Sequence, residues 1–584
     1  MKRRNGKKGA IMRVWRYVDN YRAAFVLSLA CSAVFVGASL YLPILFGRAA
    51  DMITGKDSVD FSGLFGIFVK AAVFAAIAGV SQWAAESLCI RIADGVTRRI
   101  RNDAFSRLSR VPLSEIDRRP VGDILSVEIG DADRLSDGLL LGFSRFFTGI
   151  LTIVGTLVCM IIINPVIAAA VAVLTPVSLF TAKFIAGRTY KHFGRQAEIT
   201  GEQSAIIDET LGNLAAVKAY NAESRFSSDF GEINERLKDS SFKAIFFSSL
   251  TNPTTRFINA CVYAAVAFFG ALLAVNGAAG ALAVTAGSLL ALLSYANKYT
   301  KPFNEISEVM AELSGAKACA ERLFKIIDAK EETDAEGAEE FVPSKGDVRI
   351  EGVGFSYDKS RPLIKRFDLD VKSGQKIAIV GPTGCGKTTF INLLMRFYDV
   401  DEGKITVDGK DIKGVKRKAL RACYGMVLQD AWIRKASVKD NIKIGKKDAS
   451  DSEVEEAARL ARADGFIKRL PFGYDTVISE DGLSEGQKQL LSIARVMLCL
   501  PPMIILDEAT SSIDTRTEIK IQQAFDGLTE GKTSFIVAHR LSTIVSADVI
   551  LVMNAGNVIE QGTHSELMEK KGFYYDLYNS QFKN

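Results

Sequence analysis

Apolar residues crowd into the first half of this chain in long unbroken runs. Ala23 to Gly47 carries no charged residue, and Phe61 to Ala85 carries one, Lys70. Each run is long enough to cross a hydrocarbon core of about 30 Å as a helix. Phe146 to Ala182 is uncharged but interrupted at Asn164 and Pro165, and Phe257 to Asn297 is uncharged but interrupted at Asn276, Gly277 and Gly280. Both read as hairpins of two crossings, so the pattern predicts six membrane-spanning helices.

Between those runs lie charged stretches, Glu86 to Arg145 and Lys183 to Arg256, in which apolar residues keep a helical spacing. Loops of that length need structure of their own. Reversals are expected at Pro112 to Pro120 and near Ala219 to Ser224, so helices two to five should continue far into the cytoplasm. Orientation follows from charge. Residues 1–22 carry Lys2, Arg3, Arg4, Lys7, Lys8, Arg13, Arg16 and Arg22 against Asp19 alone, which holds the N-terminus in the cytoplasm. A signal peptide would have an apolar region of about 7 to 15 residues, and the first run here is longer. Lys70 would either meet an anionic substrate or snorkel to the interface. Ser294, Tyr295, Asn297 and Lys298 give the sixth span a polar end, which would line a cavity or pack against neighbours.

The 584 residues imply several domains. The net charge of +6 is accounted for by residues flanking the spans, which argues against nucleic acid as a partner. The acidic stretch Lys330 to Glu340 has no apolar period and precedes Pro343, so it reads as a linker. The expected boundaries are a basic N-terminus (1–22), a six-helix membrane domain (23–325) with cytoplasmic loops at about 86–145 and 183–256, a linker (326–346) and a second domain (347–584). Eight cysteines show no paired spacing, so neither disulfides nor zinc are expected.

The second domain carries the chemistry. Gly381 to Thr389, GPTGCGKTT, follows the apolar run Ile377 to Val380 and precedes a helical pattern. That is the strand, loop and helix context of a phosphate-binding loop. Gly381, Pro382, Thr383, Gly384, Cys385 and Gly386 would wrap the phosphates of ATP with backbone N–H groups, Lys387 would reach the terminal phosphates, and Thr388, followed by Thr389, would hold Mg²⁺. Cys385, near a helix N-terminus and beside Lys387, is expected to be a reactive thiol shielded by MgATP. Downstream, Leu483, Ser484, Glu485, Gly486 and Gln487 open a helix, and the apolar strand Met503 to Leu506 ends in Asp507 and Glu508. Such a pair places one carboxylate beside Mg²⁺ and leaves the other free to orient or deprotonate water.

Phosphate loop, LSEGQ, IILDE, ATSSID and AHR, in that order, resemble the nucleotide-binding domain of ATP-binding cassette (ABC) transporters over about Asp347 to Asn584. The resemblance implies that Tyr357 stacks on adenine, that Gln429 contacts Mg²⁺ and the γ-phosphate, and that His539 contacts the γ-phosphate. Asp514 would lie in the loop joining two cassettes. The loops EIDRRPVGDILSVEIGDADRL and DETLGNLAAVKAYNAE are similar to the intracellular loops of ABC exporters, whose tips seat on the cassettes.

The expected fold is therefore a membrane all-α domain of exporter type, with six transmembrane helices and long intracellular loops, followed by an α/β P-loop ABC ATPase domain. No internal repeat is found, so the chain resembles a half-transporter of the bacterial multidrug-exporter type, needing a second half in the plasma membrane. It would export a hydrophobic or amphipathic substrate such as a drug, lipid or peptide. An importer of siderophore-like ligands on the same fold and a nucleotide-gated regulatory protein are the alternatives. Two departures stand out: LSEGQ replaces the family's LSGGQ, and the segment TVISEDG before it is about two residues short. A complete catalytic set beside an altered signature resembles one half of an asymmetric exporter, so a heterodimer is expected over a homodimer.

Overall fold

The structure, a computed structural model, describes residues 9–54, 60–275, 284–342, 345–507, 513–537 and 544–582. Two units divide the chain: Met1–Ser109 with Pro120–Ala329, and Arg110–Arg119 with Lys330–Asn584.

The first unit is helical. α1 (Ala10–Val18) buries Ala10, Val14 and Val18 on one face, and its Arg13 pairs with Asp328 at 2.5 Å. α2 (Arg22–Thr54) and α3 (Phe61–Leu108) follow, and then α4 (Leu113–Asp117), which groups with the second unit. α5 (Val121–Leu125), α6 (Ala132–Leu141) and α7 (Phe147–Ile163) form one run through π-helical turns at Ser126–Asp131 and Gly142–Phe146. The run ends at Asn164, whose side chain accepts the N–H groups of Val166 and Ile167 at 3.1 Å and so caps α8 (Pro165–Gly212). Pro165 occupies the first helical position, where a missing N–H costs nothing. α9 (Leu214–Ala219) turns the chain into α10 (Glu223–Ser249) and α11 (Thr251–Val275), and α12 (Ala286–Ile327) completes the unit. Both charged loops therefore reverse through a short helix, α4 and α9. The expected break at Asn276, Gly277 and Gly280 lies outside the described residues.

Four of the described helical stretches, Ala10–Ile53, Phe61–Leu108, Val121–Ile163 and Arg256–Val275, are long and apolar enough to cross a membrane. α8, α10 and α12, of 48, 27 and 42 residues, are the other long helices. The apolar part of α12 is diluted by Asn297, Lys298 and Lys301.

Glycine brings α2 and α12 together. A Cβ on Gly287 would fall 1.9 Å from the Gly47 carbonyl oxygen, an approach no larger residue permits. Asp51 fixes the same crossing by accepting from Thr285 Oγ1 at 2.9 Å and the Gly287 N–H at 2.7 Å. Further along, fully buried Tyr295 donates to the Leu40 carbonyl at 2.5 Å, so this residue packs and does not line a cavity.

The second unit is α/β. A four-stranded antiparallel sheet, in the order β2 (Ile364–Val371), β1 (Val348–Phe355), β4 (Glu402–Val407), β5 (Lys410–Asp411), faces a six-stranded sheet. The latter runs β12 (Asn557–Gly562), β11 (Val549–Asn554), β3 (Lys376–Val380), β10 (Thr533–Val537), β9 (Met503–Asp507), β6 (Tyr424–Val427). β3, β10 and β9 are almost wholly buried, as unbroken apolar runs in a parallel sheet should be. Phe390 of α13 (Lys387–Leu394) packs between the sheets with Phe367 and Phe535. A second core is helical, formed mainly by α15 (Val438–Ile442), α16 (Asp451–Leu460), α17 (Asp464–Ile467), α18 (Glu485–Cys499) and α19 (Thr515–Thr529), with the short pair β7 (Ala436–Ser437) and β8 (Val477–Ile478) beside it, while Leu420 of α14 (Arg417–Ala422) joins the first core.

The acidic stretch, read from the sequence as a linker, is tied down. Glu332 forms a two-pronged pair with Arg421 at 2.7 and 2.9 Å, Glu339 pairs with Lys410 and Glu340 with Lys416, each at 2.6 Å. Asp334 accepts the Arg417 N–H at 3.0 Å. The partners of Glu332, Asp334, Glu339 and Glu340 lie about 70 to 90 residues downstream, and Arg110, 4.0 Å from Glu331, lies far upstream, so no local pattern reveals them.

Candidate nucleotide-binding site

Strand register assembles the site. Ile379 of β3 lies opposite Val537 of β10, Val537 opposite Asp507 of β9, and Leu506 opposite Val427 of β6. The carboxyl ends of four parallel strands thus reach one edge of the sheet, where open α/β sheets bind ligands. The phosphate loop leaves β3 at that edge. Asp507 ends β9 half-buried, and Gln429, exposed, lies two residues past β6. Glu508 and His539 lie outside the described residues; in sequence they follow the ends of β9 and β10 by one and two positions.

The loop itself needs its glycines. Gly384 and Gly386 hold φ of +80° and +104°, in the left-handed region, and a Cβ on Gly381 would sit 2.2 Å from the Met553 carbonyl oxygen. Gly386 caps α13, and the first-turn N–H groups of this helix have no partner inside it. A helix N-terminus joined to a glycine loop is an anion cradle, and the residues present fit the phosphates of ATP. Lys387 Nζ donates to the carbonyls of Gly381 at 2.8 Å and Pro382 at 3.1 Å, so the ammonium is folded back across the loop it serves. Thr383 and Thr388 are exposed, whereas Thr389 is buried.

Cys385 departs from expectation. It is 3 % exposed and points beneath the loop: a Cβ on Gly381 would meet its Sγ at 2.7 Å. Its carbonyl accepts the Gly556 N–H at 3.0 Å and its own N–H goes to Pro382 at 3.2 Å. The thiol is a packing group under the loop, inaccessible to a reagent. Lys387, which the sequence places beside it, reaches over carbonyls, with Nζ 3.9 Å from Sγ.

Tyr357 is half-exposed, and its hydroxyl lies 3.2 Å from Thr389 Oγ1 in the first turn of α13. Its ring meets Phe355 and Tyr398 nearly at right angles, with centroids 4.9 and 5.0 Å away. Tyr398 in turn donates to the carboxylate of Asp117 on α4. Burial, and then that carboxylate, hold the Tyr398 phenol above its ordinary range. Sequence reasoning singled out Tyr357 but missed Tyr398 and Asp117, which carry no motif.

The signature segment begins α18. Leu483 is buried, and Ser484 caps the helix by accepting the Gln487 N–H at 3.3 Å while Gln487 Oε1 accepts the Ser484 N–H at 3.0 Å. Glu485 pairs with Lys488 at 2.7 Å, so its carboxylate is partly neutralised. Gly486 is the glycine the packing demands. A Cβ there would lie 2.4 Å from Thr517 Cγ2 and 3.1 Å from Ile513 Cγ2. Asp514 caps α19 through the Thr517 N–H at 2.9 Å, and that bond holds its carboxyl below the ordinary value.

A glycine phosphate loop, aligned strand ends and a capped signature helix define a P-loop nucleotide-binding unit, here fused to a unit of membrane-length helices. Two families match: ABC transporter transmembrane region at residues 25–303, and ABC transporter at residues 364–511. The ABC transporter ATP-binding protein YfiC of Bacillus subtilis is 37% identical over 580 residues, covering 99% of this chain and 95% of its own. A fatty acid ABC transporter ATP-binding/permease protein of Mycobacterium bovis is 38% identical over 535 residues, 90% of this chain and 84% of its own. The structure of a bacterial Atm1-family ABC exporter with ATP bound matches with a TM-score of 0.78 at 28% identity, over 96% of this chain and 98% of that one. The chain belongs to the ABC transporter family. It is an exporter-type, ATP-binding membrane protein of a family that hydrolyses ATP to drive transport, and half-transporters of this kind function as dimers.

Proposed function

We propose that this chain is one half of an ATP-driven efflux pump that moves a hydrophobic or amphipathic molecule out of a bacterial cell across the plasma membrane, with its N-terminus and nucleotide-binding domain in the cytoplasm. The observation that carries the reading is the common register of β3, β9 and β10, which brings Lys387, Thr388 and Asp507 to one sheet edge. The fatty acid named for the Mycobacterium bovis relative is an amphipathic substrate of the same class.

Lys387 and the loop N–H groups would hold the phosphates of ATP, with Thr388, Asp507 and Gln429 sharing Mg²⁺. ATP supplies a phosphoanhydride bond when bound. Glu508 would orient or deprotonate water, His539 and Gln429 would contact the terminal phosphate, and Tyr357 would stack on adenine. Leu483 to Gln487 would complete the site of a second half-transporter, with Asp514 at the junction. Glu485 supports a heterologous partner carrying LSGGQ: its ion pair with Lys488 blunts the charge, but its bulk remains where a phosphate would approach. The purified chain alone should therefore hydrolyse ATP slowly. Robust hydrolysis by a homodimer, unchanged in Glu485→Gly, would overturn the heterologous pairing.

The test of direction uses sealed inside-out vesicles containing the chain and its partner half. MgATP should drive a fluorescent amphiphile into the lumen, and the flux should vanish with Glu508→Gln. Movement out of the lumen would make the protein an importer, and nucleotide binding without flux a regulator.

A further inference from the structure

Pro43 stands inside α2 and cannot donate the helical hydrogen bond to the carbonyl four residues before it. That carbonyl belongs to Ser39, and Lys298 Nζ of α12 donates to it at 2.5 Å. Pro302 repeats the break in α12, where the orphaned carbonyl is that of Lys298 itself. Ser39, Lys298 and Pro302 line an open cavity of about 600 Å³ between α2, α3, α7 and α12, within the roughly 300–1,000 Å³ usual for ligand pockets.

Among the described residues, cations outnumber carboxylates in the lining of this cavity. Three cations, Arg145, Lys298 and Lys301, line it with two carboxylates, Glu86 and Glu305. Among the described residues neither Lys298 nor Lys301 has a carboxylate within ion-pair distance, and Glu86 accepts from Gln82 at 3.0 Å. An ionisable group within membrane helices is expensive and marks a pathway or a binding site. The Ser39 carbonyl satisfies one of the three donors of the Lys298 ammonium; it does not neutralise the charge, and two donors remain. Apolar surface completes the lining, including Phe35 and Ala85.

We propose that this cavity binds an amphiphile by a single anionic head group, carboxylate or phosphate, held by Lys301 and Lys298 while the apolar wall takes the tail. The inference rests on the export reading and narrows its substrate class. Lys298 would keep its bond to Ser39 and act from a fixed position, whereas exposed Lys301 would close on the head group.

The test is equilibrium binding to the full chain in nanodiscs of zwitterionic lipid, without ATP, at alkaline pH where a fatty carboxyl is ionised. A fluorescent fatty acid is displaced by palmitate, by palmitoyl lysophosphatidate or by hexadecanol. One or both anions should displace it at least tenfold more strongly than hexadecanol, and the stronger of the two names the head group. Lys301→Gln should erase most of that preference and Lys301→Arg should keep it. Equal displacement by hexadecanol, no saturable probe binding, or a preference untouched in Lys301→Gln would overturn the proposal. The comparison of ligands in the parent chain needs no variant to fold. Binding is read without pumping, so absent flux would sink the export reading and leave this measurement standing.

Discussion

The hydroxyl of Tyr398 donates to the carboxylate of Asp117, joining residues 281 positions apart within the nucleotide-binding unit. Tyr398 also meets the ring of Tyr357, whose hydroxyl reaches Thr389 in the first turn of α13. The loop tip at Arg110–Arg119 is thereby connected by three side chains to the helix that opens the phosphate cradle. Tyr398→Phe removes one hydrogen bond to an exposed carboxylate, worth about 1 kcal/mol. The expected result is an unaltered basal ATPase with reduced stimulation by substrate, and non-additivity with Asp117→Asn in a double-mutant cycle. Full stimulation in Tyr398→Phe would reduce the contact to packing.

Glu508→Gln should retain ATP binding while hydrolysis falls roughly a hundredfold or more, the usual cost of losing a base or water-orienting group. Lys387→Ala should act at the earlier step and weaken binding. Filter binding with labelled ATP beside a phosphate-release assay separates the two. Turnover of Glu508→Gln within a few-fold of the parent would take Glu508 out of its role.

Maleimide should label Cys499, which is exposed, before Cys385, which is buried; Cys261 is also exposed but lies within the membrane-length stretch Arg256–Val275. Labelling at Cys499 will itself be slow, because burial of the thiol's surroundings raises its pKa. Mass spectrometry of peptides from briefly treated protein gives the order, and MgATP should not change it. Rapid modification of Cys385 that ATP suppresses would show a loop more open than the one described.

The two positions of the signature should respond oppositely to side-chain volume. Gly486→Ala gains about 1 kcal/mol of helix propensity but forces Thr517 and Ile513 aside, for about 1 to 3 kcal/mol of overpacking. The net is a lower melting temperature and a displaced start of α19. Glu485→Gly loses an exposed ion pair worth little. Thermal unfolding of both variants checks the contrast, and a stable Gly486→Ala would refute the packing argument.

The phosphate loop was legible because its chemistry is local: glycines at fixed offsets, a lysine, and an apolar strand before them. The break at Asn164 and Pro165 was legible for the same reason, since cap and proline act within three residues. What escaped the sequence depends on partners far along the chain. The acidic stretch gives no sign of Arg417 and Arg421, and nothing near Cys385 in sequence shows that Met553 of β11 and Gly556 just after it lie beneath the loop. The polar end of the sixth span left two uses open, and the structure divides them: Tyr295 packs and Lys298 lines a cavity.

Pro43 and Pro302 each remove a rung from a membrane helix beside the same cavity. Bending a helix usually stretches backbone bonds, but at a missing rung there is no bond to stretch. α2 and α12 are thus softest where they face the space between them. Opening or narrowing that space can proceed as flexure about two preset points, with the lysine clasp on Ser39 and the neighbouring Tyr295 bond to Leu40 as polar links that resist it.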